Sequence, residues 1–214
     1  MDKQFYWDIL DQKRINILPL FKVFKDDFYL AGGTALALQL GHRDSIDFDF
    51  FSEQSFSTED LTKKVEQIFQ NHQIAKIQEE KDTLTFIIDD TIKISFFAFP
   101  YKPINPLLDE DNFKMASLED IGAMKLSAIT SRSVLKDYVD LYFILHKISL
   151  EELFKLTKEK FPTIDVNLIL KSLVYFDDIL EEPILFKHDD DISFELVKKY
   201  LSETVTNYLA KVNK

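Results

Sequence analysis

Apolar residues at 28–31 form a short strand-like run that turns on Gly32 and Gly33, and a helix-like stretch over 34–40 follows and stops at Gly41. Beyond His42 and Arg43, a second strand-like run interleaves Asp47 and Asp49 with Ile46, Phe48 and Phe50. Successive side chains on a strand alternate between faces, so the two acids share one face. Upstream, 5–24 carries helical spacing at Phe5, Ile9, Leu10, Ile15, Leu18 and Phe21, interrupted at Pro19, which predicts one broken helix or two short ones. Downstream, Ser57 or Thr58 followed by Glu59 and Asp60 marks a helix start, and that helix is expected to reach 71. Runs at 75–78, 83–88 and 92–99 read as strands, and the polar break at 89–91 makes the last two a hairpin.

The proline-containing stretch 100–106 is expected to end the sheet. Ser117 caps a helix with Asp120 three residues on, and from there the periodicity predicts helices over 118–131, 134–146, 150–160, 165–179 and 194–212. Strands segregated from a following run of helices give an α+β class. The expectation is a mixed β-sheet with flanking helices at 1–105 and a helical subdomain at 106–214 that closes a cleft against it.

Composition changes little in that picture. At 46% hydrophobic and 29% charged residues, the chain is ordinary for a globular protein. Glycine is scarce, 4 in all, so the adjacency of Gly32 and Gly33 points to a backbone geometry that other residues resist. Cysteine is absent, which removes disulfides and thiolate metal sites. No apolar run approaches the ~20 residues of a membrane span, and the opening MDKQFYWDILDQKR is charged and mixed, unlike a signal peptide. A cytoplasmic location with no membrane partner is expected. The net charge of −11 argues against a broad grip on nucleic acid and leaves room for a local basic cleft.

The glycine turn at the head of a helix offers backbone N–H groups and a positive dipole end to an anion. Two carboxylates on the strand that follows can share divalent ions, which clamp the attacking and leaving oxygens of a phosphoryl transfer. Charged residues threaded through so apolar a strand are costly to bury alone, and a metal is a natural partner. The turn, Asp47 and Asp49 together suit a nucleoside triphosphate and its divalent metal.

These residues carry a family resemblance. LAGGTALALQLGHR at 30–43 and DFDFF at 47–51 resemble the signature of the AbiEii/AbiGii nucleotidyltransferase toxins, members of the DNA polymerase β-like nucleotidyltransferase superfamily. AMKLSAITSRSVLKDYVDLYFIL at 123–145 resembles that family's helical block, and IKISFFAFPY at 92–101 its third core strand. The resemblance implies a nucleotidyltransferase-type sheet and Mg²⁺-dependent transfer of a nucleoside monophosphate from an NTP to an acceptor, with pyrophosphate released. It also implies the toxin of a toxin–antitoxin or abortive-infection pair, with a cognate antitoxin. A tRNA 3′ end is the first choice of acceptor, and a protein or small molecule is the alternative.

Carried over by residue, Gly32, Gly33 and Thr34 would contact phosphates, while Asp47 and Asp49 would hold a two-metal site. Arg43 fits the family's basic position and would meet a phosphate bidentately. Lys125 would reach the triphosphate, and Asp140 would complete the catalytic set from the helical side. Arg132, Lys136 and Asp140 recur at four-residue steps and share a face if the helix continues through Ser133. That assigns Arg132 and Lys136 to nucleotide binding and leaves Asp137 as a surface residue or a partner of Arg132. Many superfamily members place a third carboxylate on the next core strand, where this chain has Ser95. A serine hydroxyl is a poor Mg²⁺ ligand and no general base at neutral pH, so Asp140 or a water inherits that role. The alternative is a catalytically weak or inactive nucleotide-binding module. His42 reads as a helix-end residue, HDDD at 188–191 as a solvated acidic loop, and Trp7, Tyr101 and Tyr142 as packing.

Overall fold

The computed structural model describes residues 5–180, 182–187 and 192–212, so the HDDD stretch lies outside the described residues. Pro19 divides the first apolar stretch as its chemistry requires. Helix α1 (Gln12–Ile17) is followed directly by a 3₁₀ stretch at Leu18–Phe24 that carries the proline in its first turn. Next come β1 (Tyr29–Ala31), α2 (Gly32–Leu40), β2 (Phe48–Ser52) and α3 (Thr58–Ile68). Strands β3 (Ile74–Glu80), β4 (Thr83–Ile88) and β5 (Ile92–Ala98) form an antiparallel meander. Asp89 and Asp90 turn its second hairpin with left-handed φ of 48° and 60°, a geometry Asp tolerates better than most residues.

The sheet does not end at the prolines. β6 (Leu108–Asp109) and β7 (Lys114–Met115) form a short hairpin, and β7 runs parallel to β1. The resulting seven-stranded order is β3-β4-β5-β2-β1-β7-β6. Strands of two residues hold too little alternation to be read in a sequence. Helices α4 (Leu118–Ala128), α5 (Leu135–Leu145), α6 (Leu150–Lys160), α7 (Val166–Leu173) and α8 (Phe194–Val212) follow. None of the described helices is long and apolar enough to cross a membrane.

Alternation along β2 divides the molecule. Phe48 and Phe50 are buried against Phe21, with ring centroids 4.8 and 5.0 Å apart, and Phe50 stacks on Phe96 of β5 at 5.5 Å. Full burial of a ring of this kind contributes roughly 1.5–3 kcal/mol, so this face fixes the register. The opposite face presents Asp49 and Phe51, paired across to Ser95 and Phe97 of β5. Slipping β2 by one residue would drive the acid into the phenylalanine core.

Two buried basic residues tie the surrounding segments to this sheet. Arg14 donates to the Ile46 carbonyl just before β2 and to the Thr91 carbonyl in the β4–β5 turn, both at 2.7 Å. Lys160 at the end of α6 meets Asp120 of α4 at 2.9 Å, and Asp120 also accepts from the backbone N–H groups of Ile104 and Asn105. The second cluster holds the chain leaving β5 against the helices.

Candidate active site

A cleft of about 670 Å³ opens between the Asp49 face of the sheet and the helical half. At its head β1 runs directly into α2, where Ala31 holds the N-cap position in extended conformation and offers no side-chain cap. Helices α3, α4, α6 and α7 have their first N–H groups met by Ser57, Ser117, Ser149 and Asp165. The leading N–H groups of α2 have no such acceptor and belong to two glycines that line the cleft. Such a helix end is an anion site.

Both glycines are needed for close approach. Gly32 has φ +72°, and a Cβ on it would lie 3.1 Å from Asp49 Oδ2. A Cβ on Gly33 would lie 2.7 Å from Arg43 Nη2. The turn is therefore wedged between a carboxylate in front and a guanidinium behind.

Asp49 stands on β2, and Asp47 immediately precedes that strand. Both are half-buried, both line the cleft, and neither forms an ion pair with a described residue. Burial, and then the adjacent charge of Asp47, raise the Asp49 carboxyl above its ordinary range. Lys93 of β5 offsets this in part from the cleft wall. A pair of hard, like-charged oxygen donors that lacks a counter-ion fits Mg²⁺, which is commonly held by one or two carboxylates with water and phosphate oxygens completing its shell. No third acid or histidine joins the pair in a metal-binding cluster among the described residues.

The opposite wall is organised by an acid that does not face the cleft. Asp140 of α5 is 0% exposed. Arg43 donates to both its oxygens at 2.8 and 2.9 Å, His42 Nε2 lies 2.9 Å from Oδ1, and Lys125 Nζ lies 2.5 Å from Oδ2. Burial alone would raise this carboxyl, but the charges of Arg43 and Lys125 and the hydrogen bonds from His42 and Arg43 hold it well below the carboxylate range. Burial also keeps His42 below its usual pKa, against the pull of Asp140. Lys125 bridges onward to Asp137 at 2.7 Å, and Asp137 in turn takes both Nε and Nη2 of Arg132 at 2.7 and 3.1 Å. The outcome is a chain of alternating charges beneath the cleft, in which Lys125 is buried at the cleft lining and Arg132 is exposed.

Several expectations change at this point. Asp140 does not line the cleft; it is saturated from behind by three partners. Arg43 lines the cleft, but its Nε/Nη2 edge is spent on Asp140 and Nη1 donates to the Asp44 carbonyl at 3.0 Å, so the bidentate edge expected to meet a phosphate is already engaged. The Thr34 hydroxyl is buried, hydrogen-bonded to the Asp47 carbonyl and, at 2.8 Å, to Ser45, so it braces the loop ahead of the acids. The shared helix face of Arg132, Lys136 and Asp140 does not form, because 129–134 leaves the helix before α5 begins. Lys136 lines the cleft but pairs with Glu182 at 3.0 Å. Gly32, Gly33, Asp47, Asp49, Lys125 and Arg132 do come together.

Asp137 does partner Arg132, one of the two roles expected of it, and three features escaped the sequence reading: its second bond to Lys125, Lys93 beside the acids, and a phenylalanine wall at Phe51, Phe97 and Phe99. Alternation held the signal for the last two. Phe51 is two residues beyond Asp49, and Lys93 and Phe97 flank Ser95 at the same spacing.

Comparison with known proteins agrees with this architecture. A family model described as "Nucleotidyl transferase AbiEii toxin, Type IV TA system" matches residues 20–208. An uncharacterized protein of Aquifex aeolicus (strain VF5), aq_aa25, is 40% identical over 190 residues, which span 86% of this chain and 89% of that one. JHP933 from Helicobacter pylori superposes with a TM-score of 0.58 at 20% identity, covering 97% of this chain and 94% of its own. MenT4, a nucleotidyltransferase toxin of Mycobacterium tuberculosis, gives a TM-score of 0.62 at 13% identity over 89% and 80% of the two chains. At these identities the two solved structures establish a shared fold.

Proposed function

The chain belongs to the AbiEii nucleotidyl transferase toxin family, and on that premise we propose that it transfers a nucleoside monophosphate from a Mg²⁺-bound NTP to the 3′ end of an RNA, tRNA foremost. Nucleotidyl transfer is the family's activity; the metal, the acceptor and the residue roles are the proposal. The observation that carries it is the meeting of an uncapped glycine turn with two carboxylates that have no counter-ion.

In this reading the N–H groups of Gly32 and Gly33 and the α2 dipole hold a phosphate. Asp47 and Asp49 would hold the metal, which when bound neutralises the triphosphate and aligns it for in-line displacement. Lys125 faces the phosphates from the other wall, and Arg132, Lys136 and Lys93 add positive charge at the rim. Arg43 and Asp140 position these groups without touching substrate. The acceptor oxygen attacks the α-phosphorus, the α–β bridge breaks, and pyrophosphate leaves. Asp140 is saturated and Ser95 does not ionise, so the acceptor's proton passes to Asp49 or to a water beside it. The toxin family's type IV assignment supports a cognate antitoxin as partner.

Incubation with α-labelled NTPs, Mg²⁺ and total RNA tests the proposal. Labelled RNA is expected from the wild type, with a loss of about a hundredfold or more in Asp47→Ala/Asp49→Ala and on chelation of the metal. Equal labelling by both proteins would sink it. The absence of a third acid beside Asp49 favours a second reading, a nucleotide-binding module with little turnover. That reading expects tight NTP·Mg²⁺ binding and no product on RNA, protein or small molecules.

A further inference from the structure

Below the two aspartates the cleft changes character. The strand face that presents Asp49 next presents Phe51, whose partner across the sheet is Phe97, and Phe99 follows two residues later. The Phe51 ring lies 5.3 Å from that of Phe97 and 5.6 Å from that of Phe99. Phe161, after α6, closes the same end at 5.9 Å from Phe99. All four line the cleft, and Phe51, Phe97 and Phe99 are only half-buried.

Phe51 also stacks on Tyr29, and Phe99 packs on Tyr101. The part of these rings left facing the cleft is apolar surface amid charged groups, which a flat, apolar group could cover. One strand step of two residues, ~7 Å, separates this wall from the carboxylate that would hold the metal, which is about the reach of a ribose between a phosphate and its base. We propose that Phe51, Phe97 and Phe99 form a nucleobase subsite, stacking a base whose ribose or phosphate lies beside Asp47, Asp49 and the glycine turn. The subsite rests on the nucleotidyl-transfer reading above and adds where a base lies and how it is read. None of these side chains carries a hydrogen-bonding group, so the wall grips the π-face that every base shares and discriminates weakly among the four. The base belongs either to the incoming NTP or to the acceptor's terminal nucleotide; both offer the same flat ring.

Calorimetric titrations with ATP, CTP, GTP and UTP, with inorganic tripolyphosphate, and with a short oligoribonucleotide distinguish these sources, all with Mg²⁺. The proteins are the wild type, Phe51→Leu, the double variant Phe97→Leu/Phe99→Leu, and Phe51→Trp as the ring-retaining control. Thermal melts confirm that each is folded. If the NTP's base occupies the wall, all four NTPs lose on the order of tenfold or more in affinity in the leucine variants. Tripolyphosphate is unchanged, and Phe51→Trp binds at least as well as wild type. If the acceptor's base occupies it, NTP affinity holds and oligoribonucleotide affinity falls by a similar factor. Folded leucine variants that bind every probe like the wild type overturn the subsite while leaving the transfer reading intact, as does an equal loss for tripolyphosphate. A wild-type protein that binds neither NTP nor tripolyphosphate overturns the transfer reading, and the subsite with it.

Discussion

Arg43 grips both oxygens of Asp140 at 2.8 and 2.9 Å beneath the cleft, in a pair from which water is excluded. Removing one partner of such a pair strands the other charge, at about 3–5 kcal/mol. Asp140→Asn is therefore expected to lower the urea midpoint sharply, because Arg43 and Lys125 would remain buried with a neutral amide. Arg132→Ala makes the contrast. Its side chain is 57% exposed, and Asp137 keeps Lys125, so stability should change by about 1 kcal/mol or less. An Asp140→Asn protein as stable as the wild type would refute the positioning role.

Asp49 should behave in the opposite way. Burial and the charge of Asp47 already oppose its ionisation, so Asp49→Asn is expected to leave the urea midpoint unchanged or raise it. Nucleotidyl transfer should nevertheless fall about a hundredfold or more. A variant that is both less stable and fully active would remove Asp49 from the site.

At Gly32 the left-handed φ and the nearby Asp49 oxygen act together. Gly32→Ala places a side chain where L-residues are disfavoured by roughly 1–2 kcal/mol and pushes on the carboxylate. Reduced stability of that order and weaker binding of NTP·Mg²⁺ are expected by melting and calorimetry. Retention of both would mean that the turn needs no glycine there.

The buried histidine sets a pH dependence. Burial holds His42 below its ordinary pKa in the folded state, and among the described residues its Nδ1 has no hydrogen-bond partner. Below the unfolded value near 6.5, the unfolded chain then binds more protons at this site than the native one, so stability falls as pH drops. Asp140 adds nothing to that slope. Its folded pKa is depressed, so its contribution is complete above the unfolded value near 4 and is lost only on further acidification. Urea unfolding between pH 5 and 8 should show the slope in wild type and a shallower one in His42→Asn; identical slopes would exclude His42 as the source.

Much of the sheet was legible because alternation and turn chemistry are local. The 83–88 and 92–98 hairpin, the glycine turn and the acids on one face of β2 all follow from residues a few positions apart. The roles of Arg43 and Asp140 were not legible. They lie 97 residues apart in the chain, and nothing periodic connects them. Arg43 was assigned to a phosphate and Asp140 to the catalytic set because a charged residue near a motif carries no mark of being neutralised by another far away. The break between 118–131 and 134–146 was legible, and the structure only widens it to 129–134, where the backbone turns to bring Arg132 onto Asp137.

The buried cluster also limits how the molecule can breathe. Asp140 comes from the helical half, and His42 and Arg43 come from the loop that leads into β2, so the bonds among them staple the two walls together at the floor. Swinging the helices away from the sheet would break several charge-assisted hydrogen bonds at once and leave the fragments dry. Motion is cheaper at the rim, where Lys136 and Glu182 meet in partial contact with solvent. A substrate of this cleft would then enter and leave past exchanging surface charges, over a floor that stays shut.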